Sequence, residues 1–385
     1  MKKKRSGKRF LRFAAIALVV YAAWLGYQIA GFKTYGSGPA VDPKPAGLEI
    51  KGVYHIHSKL SDGRATPDKI ARLASSEGLD FIILTDHGSP NFPSCKTQGW
   101  KDGVLVLAGS ELSVSRGHLV ALGFREPQHD FSQKTEDAMA EIQSLGGFGI
   151  IAHPYAKVRW SWGDPGDSPP YSGIEIMNMD HMLKTNFWRM LPYAPALLVK
   201  PELAVLRLIE HPGINIEKWD ERNQRSQVYG YFGADAHLLY RGLFSAICLH
   251  LLLDEPLDRD FEKARGQVLA ALRQGRFYNA LEGAAEAQGF RFWAEADGKR
   301  VPMGGSASAA IPLKLHVQAD FPFANEVRVV RDGRKIMTAG GSLAMSIHQP
   351  GVYRVEVYLE EKSPLDAETP WIVSNPIFVR PEDNP

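Results

Sequence analysis

The sequence is poor in cysteine, with only Cys95 and Cys248 among its 385 residues. Two cysteines exclude a disulfide framework and a cysteine-rich zinc module, and they leave open a single disulfide between these two positions. The 45 basic residues nearly balance the 43 acidic ones, and 44% of the residues are hydrophobic. This composition excludes a disordered charged tail, a fibrous protein and a many-span membrane protein, and the length is typical of about two domains.

Acidic residues are absent from positions 1–12, and charge of either sign is absent from positions 13–32. The first segment carries seven basic residues, so the rest of the chain has a net charge of −5, the formal +2 less these seven. Twenty mostly apolar residues in a helix span the roughly 30 Å of a hydrocarbon core. A basic flank stays inside, so we expect a single-pass signal anchor in the inner, cytoplasmic membrane, with the later residues on the periplasmic, extracytoplasmic side.

A cleaved signal peptide is the alternative interpretation of the same basic-then-apolar order. In either case the basic cluster directs membrane topology, and we expect no nucleic-acid partner. Residues 33–47, rich in glycine and proline, are interpreted as a linker.

Residues 48–282 alternate short apolar runs with helical patterns, which is typical of an α/β fold. Near-continuous apolar strands predict a parallel sheet covered by helices, and about seven strand–helix units predict a TIM-like (β/α)7 barrel. Residues 156–231 are longer than one unit requires, so they form either extra helices packed on the barrel or an apolar lid that meets a lipid-like group or the bilayer. Residues 283–385 alternate apolar and polar residues and predict a small all-β sandwich, with a hairpin at Asp332-Gly333.

Histidines and carboxylates stand at the ends of the predicted strands. In a parallel barrel these ends gather at one rim, and imidazole with carboxylate suits Zn, Mn or Fe. His55 and His57 are one residue apart, so on a strand both side chains point to the same face. The candidates are too many for one ion and imply two or three divalent metal ions; they are His55, His57, Asp62, His87, Glu111, His118, His153, Asp235 and His237.

Five motifs between residues 50 and 240 resemble, in order, those of the PHP (polymerase and histidinol phosphatase) metallohydrolase family. They are HIHSKLSDG, LTDHG, GSE followed by His118, IAHPY and ADAH. The LRQGRFYNAL helix and the trailing WIVSNPIFV segment are similar to the CehA/McbA-like branch of that family. The resemblance implies a distorted seven-stranded barrel with a trinuclear metal site.

The resemblance also implies how the metals are shared. His55, His57, Glu111 and Asp235 would hold one metal, and Asp62, His87 and His237 would hold a second. Glu111 would bridge to a third metal held with His118 and His153. Asp62 stands where some family members have histidine, which leaves the identity of the second metal open.

Such metals predict a hydrolase. Two ions about 3.5–4 Å apart lower the pKa of a bridging water and present hydroxide for in-line attack. We expect a membrane-anchored, extracytoplasmic phosphoesterase that acts on a small-molecule or lipid-linked phosphomono- or diester. The alternatives are a carboxylic ester, carbamate or amide hydrolase of the CehA/McbA type, and a catalytically weak scaffold that presents the β-sandwich to a protein partner.

Four further roles are predicted near the metals. Glu111 is expected to be essential for catalysis. Asp86 adjoins His87 and either accepts a hydrogen bond from a ligand or caps the strand end. Phosphate requires cations beyond the metals, for which Arg116 is the first choice and Arg241 the second, although an exposed arginine is common without such a role.

Overall fold

The computed structural model describes residues 2–32, 34–36, 48–156, 161–162, 171–360 and 365–381, with side chains from residue 8 onward. Most of the predicted linker at 33–47 lies outside these residues. So does most of the tryptophan-containing loop that begins the 156–231 region.

The helices in chain order are α1 (Lys2–Gly31), α2 (Pro67–Ser76), α3 (Phe92–Cys95), α4 (Thr135–Ser144), α5 (Met179–Met190), α6 (Pro201–Leu206), α7 (Gly213–Asn223), α8 (Tyr240–Phe244) and α9 (Phe261–Arg273). A 3-10 helix, Leu191–Leu198, lies between α5 and α6. Helix α2 begins after Thr66, which caps it by accepting from the Lys69 N–H, and Pro67 is its first residue.

The strands up to residue 280 are β1 (Glu49–Ile56), β2 (Phe81–Leu84), β3 (Gly99–Lys101), β4 (Val104–Ala108), β5 (Ser110–Val114), β6 (Gly117–Leu122), β7 (Phe148–Ile151), β8 (Gly173–Asn178), β9 (Tyr229–Gly233), β10 (Cys248–Leu252) and β11 (Phe277–Ala280). The later strands are β12 (Arg291–Ala296), β13 (Lys299–Pro302), β14 (Ser306–Ser308), β15 (Leu313–Gln318), β16 (Asn325–Arg331), β17 (Arg334–Gly340), β18 (Leu343–Ile347), β19 (Gly351–Leu359), β20 (Ile372–Ser374) and β21 (Ile377–Arg380).

Helix α1 confirms the predicted N-terminal apolar helix. Its Lys8–Gly31 segment is long and apolar enough to cross a membrane, and only 6% of its most apolar stretch is buried against the rest of the protein. Length and composition are also those of a signal sequence, so the membrane role belongs to the proposals below.

The fold is α/β as predicted, but the expectation of a parallel sheet is only partly correct. The order β3-β4-β2-β1-β10-β11 forms part of a first sheet, and β5-β6-β7-β8-β9 form a second. Strand β1 is parallel to β2 but antiparallel to β10, and β5 is antiparallel to β6. The physical reason for the β5–β6 geometry is their connection through Ser115 and Arg116 alone, since two residues can join only antiparallel strands.

The two sheets approach each other where the site residues lie. Isolated parallel bridges connect Ile56 with Ala236 and His87 with Glu111. Among the described residues, no continuous ladder closes these sheets into the predicted barrel. The bridges nevertheless bring the ends of β1, β2 and β9 next to the start of β5.

The C-terminal part is built from strands, as the alternating pattern indicates. Strands β13-β12-β15-β18 form a third sheet, while β14, β16, β17, β19, β20 and β21 extend the first sheet. Asp332 and Gly333 connect β16 to β17 with φ of 50° and 78°, which confirms the hairpin. Strand β20 pairs with β11 from Tyr278–Ser374 to Ala280–Ile372, so the first sheet continues across the predicted boundary at residue 282.

Candidate metal centre

All nine residues that the sequence analysis selected as ligands come together at one place. Three groups each offer ligand atoms within 4.8 Å of one another: His55, His57, Glu111 and Asp235; His57, Asp62, His87 and His237; and His87, Glu111 and His118. His153 joins them, because its Nε2 lies 3.1 Å from Oε1 of Glu111. A cavity of about 310 Å³ opens over most of these side chains.

His55 and His57 reach the same site by a route that simple alternation does not describe. The register of β1 against β2 shifts between Tyr54 and Ile56, and His55 sits in this bulge with φ of 65°. His57 follows the end of the strand. The ring Nε2 atoms of His55 and His57 lie 3.5 and 3.3 Å from Oδ1 of Asp235, so the predicted convergence holds although its geometry is that of a bulge.

Two further site residues have left-handed backbones, His153 with φ of 30° and Asp235 with φ of 46°. Such conformations cost on the order of 1–3 kcal/mol for residues other than glycine, and they persist where the surroundings fix them. Both residues lie just past the ends of strands, β7 and β9. The strain concentrates where the chain turns a ligand group toward the cavity.

Glu111 lies at the centre of the buried part of the site. Its Oε1 lies 2.9 Å from His118 Nδ1, and its Oε2 lies 3.1 Å from His57 Nε2 and 3.3 Å from His87 Nδ1. With His55 at 3.4 Å and His153 at 3.1 Å, five imidazoles surround one carboxylate that is 1% exposed. This position, between the groups, is the one that a bridging carboxylate requires.

Asp62 forms the exposed side of the site. Its Oδ2 lies 3.2 Å from His237 Nε2 and 3.7 Å from His87 Nε2, and its Oδ1 lies 3.4 Å from His57 Nδ1. The Asp62 side chain is 54% exposed, in contrast to the buried Glu111. The structure therefore has a buried ligand group and an accessible one, which share His57.

Imidazole rings surround the carboxylates of the site, and each affects the protonation of the other. Burial disfavours charge on these groups, but attraction to the neighbouring carboxylates outweighs burial at His55, His57 and His153 and raises the pKa of each ring. At His87 burial prevails and lowers the pKa. Next to Asp235 and Glu111 the pKa of His57 rises to about 9. The pKa of Glu111 lies well below its ordinary range, because burial is outweighed by His55, His118 and His153. A metal would have to displace protons from such rings, so metal binding would depend on pH.

The ring nitrogens test whether metals fit this site. Four of them, on His55 (Nε2), His57 (Nδ1 and Nε2) and His87 (Nδ1), are buried and have no hydrogen-bond partner in the described part of the chain. Each lies 3.1–3.5 Å from a carboxylate oxygen without hydrogen-bond geometry. An unsatisfied buried polar atom costs about 1–3 kcal/mol, and a divalent cation between the lone pairs and the carboxylates would remove this cost. The donor set of imidazole and carboxylate fits Zn, Mn or Fe.

Glu175 is a site residue that sequence reasoning missed. Its Oε1 lies 2.5 Å from His55 Nδ1 and accepts from the Tyr54 hydroxyl at 2.8 Å, while Oε2 accepts from the His153 N–H and from Asn178 Nδ2, both at 2.8 Å. A carboxylate that holds Nδ1–H of His55 directs Nε2 toward the metal ligands. The signal in the sequence was a glutamate inside the otherwise apolar strand β8, GIEIMN.

Glu175 has room for its carboxylate because the neighbouring strand β9 has a glycine, Gly233, at this point. A Cβ added at Gly233 in β9 would lie 2.1 Å from Oε1 of Glu175. Glycine at this position therefore leaves room for the carboxylate that orients His55.

Asp86 lies beside the site in the role of a cap. It accepts from the Ser58 N–H at 2.6 Å and from the hydroxyls of Ser58, Ser61 and Ser94 at 2.7–2.8 Å. These contacts fix the turn that follows His57 and carries Asp62. Of the two roles predicted for Asp86, the contacts support the strand-end cap.

The two predicted phosphate-binding arginines make contacts with residues that do not line the cavity. Arg241 donates to Glu77 at 2.8 Å, and Arg116 has its guanidinium 5.9 Å from the Trp162 ring. The described cavity lining contains neither, but it contains Lys184, which forms an ion pair with Asp180 at the same opening. Both Asp180 and Lys184 lie on α5, and no motif pointed to them.

Two histidines of the C-terminal strands and both cysteines lie away from this site. His316 stacks on Trp293 with ring centroids 4.9 Å apart, and His348 lies in the turn between β18 and β19. Cys95 and Cys248 are both buried and unbridged, so the disulfide that the sequence left open is not formed.

Comparisons with known proteins give distant likenesses. No protein-family model matches the chain. An uncharacterized protein of Methanocaldococcus jannaschii is 26% identical over 144 residues, which is 34% of this chain and 84% of that protein. A solved two-domain protein of Bacteroides vulgatus, described as containing a predicted PHP-like metal-dependent phosphoesterase, is 15% identical with a TM-score of 0.40, covering 90% of this chain and 99% of the other.

An amidohydrolase of Chromobacterium violaceum is 18% identical with a TM-score of 0.29, covering 48% of this chain and 87% of that protein. The description of the Bacteroides vulgatus protein names the same family that the five motifs resemble. Both TM-scores are below 0.5, and the cluster of histidines and carboxylates is the feature that indicates a metal-dependent hydrolase.

Proposed function

We propose that the protein is a metal-dependent phosphoesterase of the PHP type, held at a membrane by α1. The observation that carries the proposal is the set of buried imidazole nitrogens that face Glu111 and Asp235 with no hydrogen-bond partner among the described residues. Bound divalent ions would supply Lewis acidity and an activated water for hydrolysis of an ester.

The chain would hold these ions in the groups that its geometry defines. His55, His57, Glu111 and Asp235 form the buried group, and Asp62, His87 and His237 extend from His57 toward solvent. His118 and His153 meet the second oxygen of Glu111. Glu175 fixes the ring of His55, and Asp86 fixes the turn that carries Asp62. Two or three ions of Zn, Mn or Fe fit this arrangement.

The substrate class follows from the size and charge of the opening. A cavity of about 310 Å³ accommodates a phosphate ester head group and leaves a larger leaving group outside. Lys184 supplies a cation at this opening, in the role first assigned to Arg116 and Arg241. We infer that the substrate is a small or lipid-linked phosphomono- or diester.

The location is part of the proposal. Helix α1 would cross the inner membrane once, with the basic residues 1–12 in the cytoplasm and the metal centre on the periplasmic side. An uncleaved helix is supported by its contacts with the folded part of the protein. Tyr21 donates to the Pro192 carbonyl at 2.9 Å, and Lys200 Nζ donates to the Phe32 carbonyl at 2.7 Å.

The test is metal analysis and a substrate panel on the full-length protein. We expect more than one equivalent of metal after loading, and turnover of a phosphomono- or diester with Mn, Zn or Fe. Glu111→Ala should abolish metal binding and turnover, because the two oxygens of the Glu111 carboxylate together contact five imidazoles. Glu262→Ala, on the exposed start of α9, should change neither metal content nor turnover.

Two results would contradict the proposal. Hydrolysis confined to carboxylic esters, carbamates or amides would support the proposed metal centre but contradict the proposed phosphate-ester substrate. Less than one equivalent of metal, with no turnover after metal addition, would favour a scaffold that presents the β-domain to a partner.

A further inference from the structure

An exposed apolar surface lies at the C-terminal end of α5 and along the 3-10 helix. We call residues 187–199 the apolar ledge. Trp188 is 75% exposed and Leu198 is 83% exposed, and Phe187, Leu191 and Val199 are exposed beside them. Met190 and Ala196, in contrast, are buried against the core. The ledge is thus a packed part of the fold whose outer face is apolar, and contiguous patches of this kind mark contacts with a partner or a membrane.

Charge is nearly absent from the ledge. Within 187–199 the one charged residue is Arg189. Its side chain is 43% exposed and is paired with two carboxylates, its guanidinium nitrogens lying 3.1 Å from Asp366 and 3.6 Å from Glu210. The outer face therefore offers large apolar and aromatic side chains, which suits hydrocarbon better than water.

Helix α1 lies directly against the ledge. The Tyr21 hydroxyl donates to the Pro192 carbonyl at 2.9 Å, and the ring centroids of Trp24 and Tyr193 are 5.1 Å apart. At the end of the helix, Lys200 Nζ donates to the Phe32 carbonyl at 2.7 Å. The ledge thus runs beside the last third of α1 and ends at a lysine.

The place where the ledge contacts α1 sets how deep the ledge would lie in a bilayer. Ten residues separate Tyr21 from Gly31, which at 1.5 Å per residue is about 15 Å of helix, or roughly half of a hydrocarbon core. If α1 crosses a bilayer, Pro192 is carried into the outer leaflet. Lys200 would then lie at the water boundary, where lysine extends its ammonium to the polar layer, and Trp24 and Tyr193 would lie deeper, within the apolar layer.

We propose that the apolar ledge inserts into the outer leaflet beside α1 and forms a second membrane contact. The occupant is the acyl and head-group region of a bilayer. A protein partner is disfavoured because the ledge is continuous with the candidate span and its single charged side chain, Arg189, is already paired with Asp366 and Glu210. The inference rests on the proposed anchoring by α1, and it adds a contact made by the folded part of the protein.

The ledge is joined to the metal centre by α5. Asp180 and Lys184 on this helix line the cavity, and Trp188 follows Lys184 by one helical turn. The twelve residues of α5 span about 18 Å, so a ledge held in the outer leaflet keeps the cavity opening within reach of lipid head groups. The substrate class that fits is a phosphate ester embedded in the membrane, with its phosphate at the surface.

The test uses single cysteines labelled with an environment-sensitive fluorophore, in full-length protein reconstituted into phosphatidylcholine–phosphatidylglycerol vesicles. Trp188→Cys and Leu198→Cys report on the ledge, Val19→Cys reports on α1, and Met337→Cys on β17 is an exposed control. Cys95 and Cys248 are buried, so the chain without an added cysteine gives the background. Nitroxide-labelled lipids should quench positions 19, 188 and 198 to a similar degree and leave position 337 unchanged.

The outcomes separate the two proposals. Quenching at position 19 with no more quenching at 188 and 198 than at 337 would overturn the ledge proposal and leave the anchor standing. Absence of quenching at all positions would overturn both. Labels at 188 and 198 that are shielded from lipid and from aqueous quenchers, with cross-linking between two copies, would assign the ledge to self-association and overturn the proposal.

Discussion

Nδ1 of His55 lies 2.5 Å from Oε1 of Glu175, and the same oxygen accepts the hydroxyl of Tyr54. The contact orients a ring whose other nitrogen faces Glu111 and Asp235. Replacing Glu175 with glutamine keeps its size but removes the charge that holds the His55 proton, so we expect metal affinity to fall about 10–100-fold. The measurement is a metal titration of the purified protein, with the circular dichroism spectrum to verify folding.

Glu141→Gln provides a matched control for Glu175→Gln. Glu141 also binds a histidine, with its Oε2 3.1 Å from His129 Nε2, but it lies away from the cavity. Its replacement should leave metal affinity unchanged. Gly233→Ala should reproduce the Glu175 effect through crowding, since an added Cβ would lie 2.1 Å from the carboxylate. Equal metal affinity in all three variants would remove Glu175 from the site.

Lys184 is the cation that lines the cavity opening. Lys184→Ala should raise KM for a phosphate ester about tenfold and leave kcat nearly unchanged, because a charge-assisted hydrogen bond to substrate contributes about 1.5 kcal/mol to binding. Steady-state kinetics on the metal-loaded protein measure this.

Arg241→Ala and Arg116→Ala complete the comparison of cations. Arg241 is engaged by Glu77 and lies outside the cavity lining, so its loss should leave KM as it is. A larger rise in KM for Arg116→Ala than for Lys184→Ala would restore the role that the sequence assigned to Arg116.

A second buried cluster predicts how stability depends on pH. His250 lies between Glu49 and Glu282, with its Nδ1 and Nε2 at 3.0 and 2.9 Å from their carboxylates, and it stacks on Tyr278. Burial opposes its charge, but Glu282 and Glu49 outweigh burial and raise the pKa of His250 from 6.5 to about 9. The protonated ring stabilises the fold fully below the unfolded pKa, and this contribution is lost as the pH rises through about 9.

The shift corresponds to about 3 kcal/mol of unfolding free energy between about pH 6 and pH 10. We expect wild-type protein to lose that amount relative to His250→Gln, measured by urea unfolding of the metal-free protein at several pH values. Subtracting the variant removes the contribution of the metal-site histidines. Parallel pH curves for the two proteins would show that His250 does not carry the effect.

Arg354 on β19 forms a buried bidentate ion pair with Asp220 on α7, at 2.7 Å for both contacts. Arg354→Met leaves two buried carboxylates, Asp220 and Glu356, without their cation, which should lower the free energy of unfolding by about 3–5 kcal/mol. Arg334→Met on exposed β17 should have little effect. The double variant Asp220→Asn with Arg354→Met should cost less than the two single changes together, and additive losses would contradict direct coupling.

The cluster could be predicted because its residues share a simple local signal. His57, Asp235 and Glu111 stand at strand termini, and a strand terminus together with the residue type is readable without knowing which strands are neighbours. All nine predicted ligands accordingly lie in one cluster, and seven of them line the cavity. The glutamate of β8 gave a weaker signal, since one charged residue within a buried strand does not reveal which ring it binds.

The sheet order could not be predicted, because it depends on turns rather than on periodicity. The run GVLVLAGSEL reads as one strand, but it forms β4 and β5 in different sheets, separated at Gly109. The short Ser115-Arg116 turn then reverses the chain and makes β6 antiparallel to β5. The positive φ of His55 could not be predicted either, because the bulge that contains it depends on how β1 pairs with β2.

Because β20 pairs with β11, the sheet that carries β1 and β2 needs the C-terminal strands to cover one of its edges. A chain cut after Glu282 would leave the backbone groups of β11 without their neighbours on one side, and Asn279 would lose its contact with Val373. Bare edges of this kind recruit strands from other molecules and cause aggregation. We therefore expect sequence changes in the separate sheet of β12, β13, β15 and β18 to be tolerated better than changes in the segment from β19 to β21.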